Sequence, residues 1–249
     1  MTIKTVAITG GNRGIGLCIT EAFLESGYRV FVGARNSDVL PHNVLNQISF
    51  IPTDVRNHES VANFIDSSIF ETGHLDVLIN NAGYSEWRPV SKIDVDFLDD
   101  IIDTNIKGVF WACKAAAAVM HDNASIINIS SIAGKRGSSN NSAYVATKFA
   151  VNGITQSLAK ELGPRGIRVN GVCPVLVSTD GLLTALAKSD APGFEDPVKF
   201  IHNFAKTQTA LNRLPTGHEV AAMCIFLASS NASAITGQNI NVDCGVFPQ

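Results

Sequence analysis

Tyr144 and Lys148 stand four residues apart in Tyr-Val-Ala-Thr-Lys, a stretch with helical character. That spacing puts both on one helix face. An ammonium beside a phenol favours the phenolate and lowers the tyrosine from its ordinary pKa of about 10. A tyrosine tuned in this way passes a proton near neutral pH. Taken alone, such a pair is more often a surface Tyr and Lys on an amphipathic helix. A second set of residues lies at 9–16, TGGNRGIG, after an apolar run and before a helical pattern. Glycines there let backbone approach a pyrophosphate, and a helix N-terminus stabilises the anion. Glycine-rich turns also simply join strands to helices, but the strand–turn–helix context favours nucleotide binding.

The elements that must position these residues alternate along the chain. Apolar, β-branched runs at 3–9, 29–34, 48–52, 75–80, 125–130, 167–173 and 239–243 are predicted strands. Helical patterns occupy 14–26, about 61–73, 95–120, 143–162 and 218–229. Near-continuous apolar strands separated by helices predict a parallel sheet covered on both faces. The fold class is therefore α/β: one doubly wound Rossmann-type domain spanning 1–249. The crossover at 35–47 is so short that its helix must be short or irregular. The segment 175–215 has no strand pattern and contains Pro192, Gly193, Pro197 and Pro215. Its central part, 176–212, is predicted to be a substrate-binding lid.

With 249 residues, 45% hydrophobic and 16% charged, the chain reads as globular. The net charge of −3 excludes strong nucleic-acid steering and a polybasic membrane footprint. The start, MTIKTVAITGG, does not read as a signal peptide, and no apolar run is long enough for a membrane helix. Five scattered cysteines without a CxxC pair suggest buried thiols in a reducing cytoplasm, with no disulfide frame or zinc site. The acidic run Asp94, Asp96, Asp99, Asp100 and Asp103 fails the calcium-loop template and reads better as acids in a first helical turn.

Together, TGGNRGIG, Asn80-Asn81-Ala82-Gly83, Asn105, Ser131 and the Tyr144–Lys148 pair appear in an order that resembles the short-chain dehydrogenase/reductase family, in its 3-oxoacyl-reductase-like subgroup. The resemblance runs from Lys4 to Asp243. It implies a sheet order of 3-2-1-4-5-6-7 and a catalytic set of Asn105, Ser131, Tyr144 and Lys148. Ser131 is taken over Ser130 because family members place the serine thirteen residues before the tyrosine; Ser138, Ser139 and Ser142 are read as loop residues. Tyr144 would exchange a proton with the substrate oxygen, and Ser131 would hydrogen-bond that oxygen. Lys148 would bias Tyr144 and hold the nicotinamide ribose, and Asn105 would anchor a water chain. Asn105 also reads as a helix-interrupting residue satisfied by backbone. The implied cofactor contacts are Gly10, Asn12, Arg13, Gly14, Ile15, Gly16, Arg35, Asp54, Val55, Asn81, Ala82, Gly83, Tyr144, Lys148, Pro174, Val177 and Thr179. For Asp54 the competing reading is a cap on the next helix; for Asn81 and Gly83 it is a tight turn.

An acid after the second strand would hold the 2′-hydroxyl of NAD, but Ala34-Arg35 stands there. Arg35 and Arg13 suit a 2′-phosphate, so NADP(H) is the expected cofactor and NAD(H) the other option. Pro174-Val175 replaces the family's common Pro-Gly, and Val175 would narrow the nicotinamide pocket. Trp87, Phe194, Phe200 and Phe204 offer apolar walls for a substrate; Arg136, His202 and Asn203 offer polar contacts. The expected activity is reduction of a ketone to a secondary alcohol, or the reverse. The alternatives are an NAD-linked sugar or polyol dehydrogenase and a non-catalytic nucleotide-binding regulator. The family implies a small-molecule substrate and a homotetramer, with no metal, nucleic acid or membrane partner.

Overall fold

The structure, a computed structural model, describes residues 3–248. Its strands are β1 (Thr5–Thr9), β2 (Arg29–Ala34), β3 (Ser49–Pro52), β4 (Val77–Asn80), β5 (Ser125–Ile129), β6 (Arg168–Pro174) and β7 (Asn239–Val242). They form one sheet in the order β3-β2-β1-β4-β5-β6-β7, every pair parallel. The expected strand order is therefore the observed one.

Period-two alternation explains why the sheet holds helices on both faces. In β1, Val6 and Ile8 point to one side and join Ile19 and Phe23 of α1 (Gly14–Glu25) and Val220, Cys224 and Leu227 of α9 (Gly217–Ala228). Ala7 points to the other and joins Phe64 and Ile65 of α3 (His58–Thr72), Ala112 and Ala116 of α5 (Gly108–Val119) and Val151 of α6 (Ser142–Leu162). The short crossover holds only α2 (His42–Leu45).

Two expectations change, and the lid segment gains helices. The single helix over 95–120 is two: α4 (Val95–Ile102) and α5, joined by a π-turn at Asp103–Lys107. Ser142 is not in a loop but opens α6. The segment 176–212 carries α7 (Asp180–Leu186) and α8 (Pro197–Gln208). Asp196 caps α8 from the Lys199 amide, and Pro197 sits at its first position, where a missing N–H costs nothing. The acids before and within α4 behave as read: Asp94 caps the helix by accepting from the Phe97 amide, and Asp96 lies in its first turn.

Candidate active site

Strand order reverses between β1 and β4, which opens a crevice at their carboxyl ends. The residues singled out gather on this edge. Gly10–Gly16 follow β1, Arg35 follows β2, Asp54 and Val55 follow β3, Asn81–Gly83 follow β4, Ser131 follows β5, and Pro174 to Thr179 end or follow β6.

The glycine-rich turn is shaped for close approach. Gly10 has φ 65°, and a Cβ on Gly16 would come within 2.1 Å of the Gly10 carbonyl oxygen and 2.5 Å of Asn81 Nδ2. Only glycine fits at 16. Asn81 spends its side-chain amide on the carbonyls of Gly10 (2.8 Å) and Thr9 (3.2 Å). Thr9 Oγ1 in turn accepts from the Asn81 and Ala82 amides. Asn81 thus clamps the two loops that flank the crevice. Asn12 donates to the Asn36 carbonyl and ties the turn to the end of β2. Gly14 faces Thr179 across the cleft, 3.6 Å from where its Cβ would stand. Thr179 caps α7 by accepting from the Leu182 amide. Arg13 is exposed at the start of α1, which carries no acid in its first turn.

At the end of β3, Asp54 does not cap α3; Asn57 does, accepting from the Glu59 and Ser60 amides. Asp54 is instead gripped by Arg56, at 2.6 Å, and Arg56 also reaches Asp100 on α4, at 2.7 Å. These bonds hold both carboxyls below their usual range. Tyr84 donates to the same Asp100. Burial and the adjoining carboxylate push the Tyr84 phenol well up. Arg35 feels Asp54 and Asp100 electrostatically but forms no ion pair with them. The Arg56–Asp100 and Tyr84–Asp100 bonds border the candidate site and escaped local sequence reading, because they join the chain after β3 and after β4 to α4 and have no short-range signature.

The four catalytic candidates gather around α6. Tyr144 is partly buried against Phe97, Ile101 and Ala143. Ser131, in extended backbone after β5, faces its phenol and partly offsets the effect of burial, whereas the Ser130 hydroxyl donates to the Lys148 carbonyl. Lys148 is buried; its Nζ donates to the Ile129 carbonyl at 2.9 Å and lies 5.7 Å from the Tyr144 ring centre. The expected depression of the tyrosine does not occur. Desolvation outweighs the neighbouring hydroxyl and pushes Tyr144 up to about 12, and it drives Lys148 down to about 8. Asn105 sits buried in the π-turn. Its Oδ1 accepts from the Tyr84 amide and its Nδ2 donates to the Tyr84 carbonyl and Thr147 Oγ1. The backbone-satisfied reading of Asn105 is the one these bonds match: it interrupts a helix, is satisfied largely by backbone, and braces the turn beneath α6.

Val175 is buried just past the end of β6. Its side chain is spent in an apolar cluster with Ile132 and Val246. Val177 is buried against the sheet face that carries Ile129 and Val172. Over the cleft, Trp87 packs with Ala185, Leu186 and Phe200, so α7 and α8 meet the loop after β4. Phe204 packs instead beside Ile132 and Val175, while Phe194, His202 and Asn203 are exposed. Ion pairs fasten the outer rim: Lys188 and Arg88 to Glu86, and Lys92 to Asp190 at 2.6 Å. They line a polar cavity of about 380 Å³ that none of the four catalytic candidates touches.

This doubly wound sheet, with a glycine cradle at its switch point and a Ser–Tyr–Lys group beside it, defines a nicotinamide-dependent oxidoreductase. A family described as enoyl-(acyl carrier protein) reductase matches residues 10–247. The 3-oxoacyl-[acyl-carrier-protein] reductase FabG of Staphylococcus aureus is 36% identical, with 98% of each chain covered. A putative ketoacyl reductase of the monensin polyketide synthase from Streptomyces virginiae is 34% identical, covering 98% of this chain and 97% of its own. Among solved structures, the ligand-free aldohexose dehydrogenase of Thermoplasma acidophilum matches with a TM-score of 0.89 and 33% identity over 98% of this chain and 94% of that one. The chain belongs to the short-chain dehydrogenase/reductase family, with a 3-oxoacyl-reductase-like relationship, and is an NAD(P)-dependent oxidoreductase. Among the described residues, no helix is long and apolar enough to cross a membrane.

Proposed function

We propose that this protein reduces the ketone of a 3-oxoacyl thioester to a secondary alcohol, with NADP(H) as cofactor and Tyr144 as proton donor. The convergence of the Ser131 and Tyr144 hydroxyls, with Lys148 behind them, carries this reading. The cofactor residues fit such a group: Gly10 and Gly16 leave a cradle that a side chain would fill, and Gly14 opens toward Thr179. When bound, the nicotinamide supplies the hydride. Ser131 hydrogen-bonds the substrate oxygen as negative charge develops on it. Tyr144, held at about 12, keeps its proton at neutral pH and is therefore loaded for donation in the reductive direction. Lys148, at about 8, exchanges protons near neutral pH and holds the nicotinamide ribose. Asn105 braces the π-turn and anchors the water chain by which Lys148 recovers its proton.

The NADP(H) reading rests on charge. The position directly after β2 is Arg35 and not an acid, Asp38 stands farther along the loop, and Arg56 occupies both Asp54 and Asp100, which leaves Arg35 and Arg13 for a 2′-phosphate. The chain would act as one catalytic unit in the cytoplasm, with 176–212 as a lid over the substrate. Exposed Phe110 and Val119 on α5 and Phe149 on α6 support a homotetramer. The aldohexose dehydrogenase neighbour supports a second reading, oxidation of a sugar with NAD.

A substrate panel separates these readings. The purified protein is assayed with NADPH and NADH against a 3-oxoacyl thioester, an enoyl thioester and a simple ketone, and with NAD and NADP against an aldohexose. The highest kcat/KM is expected for the 3-oxoacyl thioester with NADPH. Higher values for the aldohexose with NAD, or for the enoyl thioester, overturn the proposal.

A further inference from the structure

The helix that begins at the glycine-rich turn carries a second group of reactive side chains. Cys18 and Glu21 lie three apart on one face of α1, and His218 lies in the first turn of α9. The Cys18 sulfur, a Glu21 carboxylate oxygen and a His218 ring nitrogen all lie within 4.8 Å of one another. No motif spacing announces this, because the third member arrives from the far end of the chain. Glu21 and His218 make no side-chain hydrogen bond or ion pair among the described residues. Gly217 brings α9 close to the thiol: a Cβ there would come 2.6 Å from Cys18 Sγ.

The electrostatics of the empty cluster are unfavourable for a thiolate. Burial and the Glu21 carboxylate both push the Cys18 thiol up. A cation bound between the two groups turns that repulsion into attraction. The positive end of α9 opposes a cation, but a thiolate and a carboxylate together carry two full negative charges against it. Sulfur, imidazole and carboxylate are a ligand set for a borderline-soft ion rather than for magnesium or calcium, which favour all-oxygen sites.

We propose that Cys18, Glu21 and His218 bind a divalent transition-metal ion of the zinc class, with three protein ligands and water in the fourth position. The ion staples α1 to α9 on the sheet face opposite α3, α5 and α6. None of Ser131, Tyr144 or Lys148 takes part; Cys18 lies on α1 two residues beyond Gly16 of the glycine-rich turn.

Titration of the chelator-treated protein with cobalt(II) tests this. One equivalent should produce a thiolate-to-metal charge-transfer band in the near ultraviolet and visible bands of a tetrahedral ion, and zinc(II) should displace it. Cys18→Ser keeps the size of the side chain beside Gly217 and should abolish the charge-transfer band. His218→Ala and Glu21→Gln should each weaken binding at least about tenfold. Cys244→Ser, at the other part-exposed thiol, should change nothing. Zinc should raise the thermal midpoint of the wild type and not of Cys18→Ser, with far-ultraviolet circular dichroism verifying that each variant is folded. The proposal is overturned if no stoichiometric band appears, if folded Cys18→Ser binds like the wild type, or if the band is lost with Cys244 instead.

Discussion

Replacing Lys148 with methionine should make the ligand-free protein more stable at neutral pH while it removes turnover. Lys148 is buried, and desolvation lowers it from 10.5 to about 8. That change corresponds to roughly 3 kcal/mol of penalty on the ammonium. Because the folded pKa lies below the unfolded one, the native state binds fewer protons than the unfolded state between about 8 and 10.5. Wild-type stability therefore rises with pH through that window, and below it the full penalty is present. Methionine has a similar length and no charge, but it loses the 2.9 Å bond to the Ile129 carbonyl, about 1 kcal/mol. The net gain at pH 7 is about 2 kcal/mol, or a rise of roughly 4–8 °C in Tm at this chain length. Near pH 10.5 the gain should disappear and the variant become slightly the weaker protein. Calorimetry of both proteins at pH 7 and pH 10.5 is the assay. A Lys148→Met protein destabilised equally at both values would refute the claim that a buried ammonium strains this site.

Arg35→Asp should shift the ratio of kcat/KM values from NADPH toward NADH by well over tenfold, because a charge-assisted bond of roughly 1.5–3 kcal/mol becomes a repulsion; Arg13 keeps the switch incomplete. Measurement at several ionic strengths tests it, and an unchanged ratio places the selectivity elsewhere. Hydrogen exchange over 176–212 should slow when NADPH and substrate are added, as expected of a lid that closes; equal, strong protection in both states counts against closure. Glu86→Gln should loosen the rim by weakening its bonds to Lys188 and Arg88, seen as faster exchange in α7 and little change at β1; unchanged exchange in α7 means the ion pairs do not hold the lid.

The sheet was legible because parallel strands buried on both faces read as unbroken apolar runs, and TGGNRGIG marks the turn that opens the crevice. The grouping of Ser131, Tyr144 and Lys148 was legible through spacing within the resemblance. Their protonation was not: spacing predicts that the ammonium lowers the phenol, while burial, which no local pattern records, raises Tyr144 and also lowers Lys148. The π-turn was hidden because Asn105 stands in a sequence whose apolar periodicity continues on either side. Helix α8 had a readable start, Asp196-Pro197, but the surrounding prolines and glycine obscured it. The Asp54–Arg56–Asp100–Tyr84 chain depends on two strand ends and a helix meeting, so only the fold reveals it.

The central claim, that Tyr144 donates the proton, is tested most directly by Tyr144→Phe. Steady-state reduction of the best panel substrate is measured beside a fluorescence titration with NADPH. Loss of the hydroxyl should lower kcat by about 10²–10⁴-fold, the usual contribution of a general acid. NADPH affinity should hold nearly unchanged, because Lys148 and the glycine cradle remain. A phenylalanine variant that binds NADPH normally and keeps more than about a tenth of the wild-type rate would contradict the assignment.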